Sequence, residues 1–96
     1  MKINIFGSTG IIGSKTLDII SNYFPKIKIN LLCSNTNVKK LIKQIYIYSP
    51  KYVYLNDITK VNFLKKNISR NTQILNFEIL KNALNLMDIF YCYIFF

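Results

Sequence analysis

Seven residues near the start of the chain, Gly7-Ser8-Thr9-Gly10-Ile11-Ile12-Gly13, have the types and spacing to hold a phosphate, and they contain every glycine in the sequence. Glycine tolerates positive φ, so the backbone can turn tightly there. A missing side chain lets main-chain N–H groups approach a diphosphate, and a helix that starts at the turn adds the positive end of its dipole. Ser8 and Thr9 are expected to add hydroxyl donors beside this cradle. The spacing is G-x-x-G-x-x-G rather than the G-x-G-x-x-G of the best-known dinucleotide fingerprint. An ordinary strand-to-helix turn is the plain alternative, but the confinement of all three glycines to seven residues favours a nucleotide cradle.

A second constellation is expected about 20 residues further on, where an acidic residue holds the ribose hydroxyls of NAD. The chain's acids are Asp18, Asp57, Glu78 and Asp88, and none falls there. The place holds Ser34, Asn35, Thr36 and Asn37, with Lys39 and Lys40 just beyond. Neutral hydrogen-bonding groups beside cations suit a 2′-phosphate, which favours NADP over NAD. The competing reading is a helix cap followed by a solvated lysine face.

Other chemistries are poorly supplied. The chain has no histidine, which excludes imidazole acid–base or nucleophilic catalysis, and Cys33 and Cys92 stand apart without metal-ligand spacing. The formal charge of +9 invites a nucleic-acid reading. Yet twelve of the thirteen cations are dispersed lysines, and heavy use of Lys, Asn, Ile, Tyr and Phe follows from A- and T-rich codons. No nucleic-acid partner is therefore expected. The apolar segment after Lys2 is too short for a signal peptide, and no run approaches the roughly 20 residues of a membrane span. A cytoplasmic protein without a membrane partner is the expectation.

The elements that must position the glycines alternate along the chain. Strands are expected at residues 2–6, 27–33, 52–55 and 72–75. The first helix covers residues 11–22, with Ile11, Ile12, Leu17, Ile19 and Ile20 at near-helical spacing. A second follows the polar cluster at 34–37, with Val38, Leu41, Ile42, Ile45 and Tyr48 on one face and Ser49-Pro50 as its stop. Asn56-Asp57 caps a third, whose stripe is Ile58, Val61, Leu64 and Ile68. Residues 77–86 form a fourth with Ile79, Leu80, Ala83 and Leu84 inward. This alternation implies an α/β fold, a Rossmann-like doubly wound parallel sheet. The almost wholly apolar residues 87–96 read as a strand needing cover on both faces, so the sheet is expected to be incomplete at the C-terminus.

Gly7-Ser8-Thr9-Gly10-x-Ile12-Gly13, followed by Thr16-Leu17-Asp18-Ile19-Ile20, then Asn37-Val38, Leu41, Gln44 and Ser49-Pro50-Lys51-Tyr52, resembles the start of the 1-deoxy-D-xylulose 5-phosphate reductoisomerases. These are NADPH-dependent enzymes of the non-mevalonate isoprenoid pathway. They convert 1-deoxy-D-xylulose 5-phosphate to 2-C-methyl-D-erythritol 4-phosphate. The resemblance implies a partial NADPH-binding domain over residues 1–96, with the family's catalytic and C-terminal domains absent, and a fragment inactive alone. It implies NADPH as cofactor, with Thr9, Gly10, Ile11 and Ile12 along the diphosphate and Asn35, Thr36 and Asn37 at the adenosine end. It also implies a divalent Mg or Mn site, a phosphosugar pocket and a homodimer in the complete enzyme. No metal ligands and no catalytic residues are expected in this chain. Two departures stand out: Ile11 where the family usually has serine, and Asn35-Thr36 where it has a small residue often followed by a basic one or serine. The alternatives are a fragment of another NADP-binding oxidoreductase, such as an extended short-chain dehydrogenase or a semialdehyde dehydrogenase, or a non-catalytic nucleotide-binding or interaction module.

Overall fold

A computed structural model describes residues 2–86, with side chains described to residue 82. The elements are β1 (Lys2–Phe6), α1 (Ile11–Tyr23), β2 (Lys28–Ser34), α2 (Val38–Tyr48) and β3 (Tyr52–Leu55). A 3₁₀ turn (Ile58–Lys60), α3 (Val61–Lys66), β4 (Gln73–Ile74) and α4 (Phe77–Leu86) follow. All strands are parallel and lie in the order β1-β2-β3-β4.

Strand alternation sends each side chain to one of two apolar layers. Ile3, Ile5, Leu32, Val53 and Leu55 pack with Leu17 and Ile20 of α1, Leu41 and Ile45 of α2, and Leu64 of α3. Leu31, Cys33 and Leu75 form the other layer with Leu80 of α4, and Phe6, Tyr52 and Tyr54 pack against them. Three helices thus cover one face and α4 the opposite one, as double winding requires. Between Ile3 and Asn4 the register against β2 slips, so Asn30 is an extra residue. The Asn30 amide donates to Asn4 Oδ1 at 3.0 Å, which offsets the cost of burying two polar side chains.

The ends of α2 show how local sequence sets element length. Asn37 caps its start, accepting from Lys40 N at 3.2 Å. At its end Ser49 takes a left-handed conformation with φ 47° and donates to Ile45 O, and Pro50 prevents continuation. Tyr48 donates to Asp18 Oδ1 at 3.0 Å, pinning the last turn of α2 to α1. Partial burial, then the hydrogen bond to Asp18 and its negative charge, raise the Tyr48 phenol pKa.

Several expectations change in detail. β2 covers Lys28–Ser34, one residue later at both ends than residues 27–33. The buried stripe of α1 is Gly13, Leu17 and Ile20, while Ile11, Ile12 and Ile19 face solvent. The third helix is split, because Asp57 Oδ1 accepts from both Thr59 N and Thr59 Oγ1 and tightens the first turn. Ile58 is therefore 81% exposed instead of lying on the stripe with Leu64. In α4 Leu80 is buried but Ile79 is largely exposed. The expected strand in residues 87–96, with Asp88 and Cys92, lies outside the described residues, as do the Ala83 and Leu84 side chains.

Candidate functional site

The glycine turn sits where β1 ends, beside the end of β2. Gly7 adopts φ 81°, a conformation that strains any side chain-bearing residue. Gly7 N and Ser8 N both donate to Cys33 O, at 2.9 and 3.0 Å, which locks the turn to β2. Gly10 N then closes back on Gly7 O at 3.0 Å. Gly13 lies under this turn: a Cβ there would overlap the Gly7 carbonyl oxygen and come within 2.9 Å of Gly7 C and Ser8 Cα. Glycine at 13 is what lets α1 sit directly against the loop. Gly10, at φ −74° and ψ 174°, uses backbone angles open to any residue. Its conformation therefore does not demand glycine.

The N-terminus of α1 is left without a cap. Gly10 is the N-cap residue, no side chain among the described residues caps the helix, and no acid stands in the first turn. The first helical bond is Ser14 N to Gly10 O, at 2.9 Å. Among the described residues, the N–H groups of Thr9, Ile11, Ile12 and Gly13 have no acceptor. Unpaired N–H groups at and just before a helix's positive end are a geometry that suits an anion. The contrast with α2, whose start Asn37 closes, is local and specific.

The hydroxyls behave differently from expectation. Ser8 is wholly buried, its Oγ has no partner among the described residues, and its N–H is committed to Cys33 O. It shapes the turn from inside and does not offer a hydroxyl at the cradle surface. The physical reason is the tight turn itself, which rolls Ser8 beneath α1 and α2. Thr9 Oγ1 shares a 2.8 Å hydrogen bond with Ser34 Oγ, fastening the loop to the end of β2. Ser34 is 4% exposed, so it too is a fastening residue.

Two contributors were not singled out for the loop from residue types and spacing. Gln44 of α2 reaches Ser8 O at 2.7 Å, while its Oε1 is buried without a partner among the described residues. Ser14 Oγ donates to Gly10 O at 2.7 Å and lies 3.2 Å from Ser8 O. Gln44 interrupts the apolar face of α2 as a buried polar residue, and that interruption was the available signal.

Beyond β2 the chain presents Asn35, Thr36 and Asn37, all exposed. Asn35 Oδ1 accepts from Asn56 Nδ2 at 2.9 Å, and Asn56 Oδ1 in turn accepts from Tyr54. Asn37 does serve as a helix cap, through Oδ1 only. Thr36, Asn37, Lys39, Thr59, Lys60 and Phe63 line an open groove of about 600 Å³ beside this loop. Asp57 is held ionised below the usual carboxylate range, chiefly by the Thr59 hydroxyl and further by Thr59 N–H and Lys60. Among the described residues no three His, Cys, Asp or Glu side chains cluster as metal ligands, and no helix is long and apolar enough to cross a membrane.

With this geometry in view, the sequence model of the 1-deoxy-D-xylulose 5-phosphate reductoisomerases matches residues 3–90. The chain belongs to this family. A reductoisomerase of Thermoanaerobacter sp. (strain X514) is 43% identical over 74 residues, covering 77% of this chain and 19% of the relative. The chain thus spans about a fifth of the length of the curated reductoisomerases it matches. The Zymomonas mobilis reductoisomerase solved with NADPH superposes with a TM-score of 0.74 at 26% identity, over 85% of this chain and 22% of that one. A second reductoisomerase, solved with NADPH, fosmidomycin and magnesium, gives a TM-score of 0.73 at 26% identity, over 81% of this chain and 20% of that one. The α/β fold read from the alternation of strands and helices is therefore the reductoisomerase fold over this stretch.

Proposed function

We propose that this chain provides the diphosphate- and adenosine-binding part of an NADPH-dependent reductoisomerase acting on 1-deoxy-D-xylulose 5-phosphate. The observation that carries the reading is the uncapped start of α1, where four N–H groups lack acceptors among the described residues, around a turn packed onto Gly13. A diphosphate supplies the missing acceptors and the missing negative charge together. Gly7, Ser8 and Gly13 shape the cradle, Thr9, Gly10, Ile11 and Ile12 present it, and Asn35, Thr36 and Asn37 flank the ribose end. NADPH supplies hydride chemistry when bound, and this chain's part is to hold and orient it.

The described residues offer no fit for the divalent metal, so no step through Mg or Mn is assigned to them. On this reading the metal, the phosphosugar pocket and the homodimer contacts belong to the remaining four-fifths of the family's length. Residues 1–96 then form a partial domain, without turnover by themselves, in a cytoplasmic enzyme.

Titration of the purified chain into NADPH, followed by nicotinamide fluorescence and polarisation, tests this. The expected result is saturable NADPH binding, with NADH weaker. Absence of saturable binding, with the chain folded by circular dichroism, overturns the cofactor reading and leaves a non-catalytic module.

A further inference from the structure

We infer that Lys60, delivered from the turn after β3, is the cation that selects the 2′-phosphate of the cofactor at the end of β2. This inference rests on the NADPH reading above and names the group that gives it its phosphate preference. The loop itself supplies no charge: Asn35, Thr36 and Asn37 are neutral. Two of their side-chain acceptors are already committed, Asn35 to Asn56 and Asn37 to Lys40 N. A cation must reach the loop from elsewhere.

Lys60 does so. Its Nζ donates to Thr36 O at 3.1 Å, across 24 residues of sequence. A surface lysine ordinarily keeps its rotamer freedom in water, whereas this one is laid over the backbone of the loop in question. The ammonium has three donors, and Thr36 O takes one. Its charged neighbour, Asp57 Oδ2, stands 3.9 Å away, at the long end of an ion pair, and Thr59 engages the other carboxylate oxygen, Oδ1, so this partially exposed pair is a weak competitor for a dianion. Lys39 lines the same groove from the first turn of α2, so two lysines on different elements bracket the position. Phe63 completes the groove's wall and is 46% exposed, an aromatic face available to a base. A charge absent at position 36 is thus restored spatially from position 60.

The probes are 2′,5′-ADP and 5′-AMP, which differ by the 2′-phosphate alone, titrated calorimetrically into the whole chain and into its Lys60→Met and Lys60→Arg variants. Loss of one charge-assisted contact is expected to weaken 2′,5′-ADP about tenfold in Lys60→Met, with 5′-AMP unchanged and Lys60→Arg keeping most of the preference. Equal weakening of both probes overturns the inference, since Lys60 would then only brace the loop. Unchanged binding of both overturns it as well. Wild-type chain that binds NADPH without preferring 2′,5′-ADP to 5′-AMP overturns the role of Lys60 alone. Wild-type chain that binds no NADPH overturns the cofactor reading and this inference with it.

Discussion

Gln44 donates its amide to Ser8 O at 2.7 Å, across 36 residues of sequence, and so hangs the glycine turn from α2. Ser8 O is buried, and its other side-chain partner, Ser14 Oγ, is longer at 3.2 Å. Gln44→Ala removes the shorter bond and leaves the longer one. The expected cost is about 1–2 kcal/mol, read as a lower urea midpoint with unchanged m-value. NADPH affinity should fall several-fold in the same variant, because the loop loses its support from α2. A variant as stable as wild type shows that the buried amide is not what fixes the turn.

Gly13 and Gly10 make opposite predictions. Gly13→Ala drives a methyl into the Gly7 carbonyl, which backbone cannot yield cheaply, and should cost about 3 kcal/mol or more. Gly10→Ala places a methyl at an N-cap whose angles any residue accepts, and should cost less than about 1 kcal/mol. The second variant should nevertheless lose most NADPH binding, because its methyl obstructs the orphan N–H groups. Parallel denaturation and cofactor titration separate the two roles. Equal stability loss in both variants would refute the assignment.

Ile11 is 77% exposed at the first position of α1, directly beside the cradle. Ile11→Ser therefore removes no core packing and adds a hydroxyl where a diphosphate oxygen is expected. Stability should change by no more than about 0.5 kcal/mol, while NADPH affinity should rise by about three- to tenfold. Fluorescence titration checks the gain, and weakened binding would place the diphosphate elsewhere.

Cys33 lies in the second apolar layer, and burial pushes its thiol from 9.0 up to about 12. The unfolded thiol ionises first, so above about pH 9 the unfolded state binds fewer protons and stability falls. The contribution is complete below pH 9 and is lost as pH rises toward 12. Relative to Cys33→Ala, wild-type stability should decline more steeply in that window, by at most about 1.4 kcal/mol per pH unit. At about pH 8 Cys33 should resist iodoacetamide in the native chain and react in urea, by peptide mass spectrometry. Rapid native labelling would contradict the buried placement.

The sequence carried the alternation of strands and helices because apolar period and cap residues are local signals. It missed the rotation of individual helices. Ile58 and Ile79 look like core residues by spacing, yet both are exposed: Asp57 tightens the turn that carries Ile58, and in α4 it is Leu80 that packs on Leu31, Cys33 and Leu75. At the site, Gly7 and Gly13 were legible since backbone geometry demands glycine there. The Ser8 hydroxyl, expected beside the cradle, is buried within the turn, and nothing local says which side of a tight turn a hydroxyl occupies. Lys60 and Thr36 meet only once β2 and β3 are paired, so no single window of sequence contains that contact.

The strand order β1-β2-β3-β4 makes each described strand the neighbour of the next one translated. A chain emerging from the ribosome can therefore add each strand to an edge already in place, with no need to insert between earlier ones. The glycine turn draws its support from sequence close by: its anchor, Cys33 O, belongs to β2, and its brace, Gln44, belongs to α2. Everything that holds the glycine turn in place thus comes from the first half of the chain, between β1 and α2.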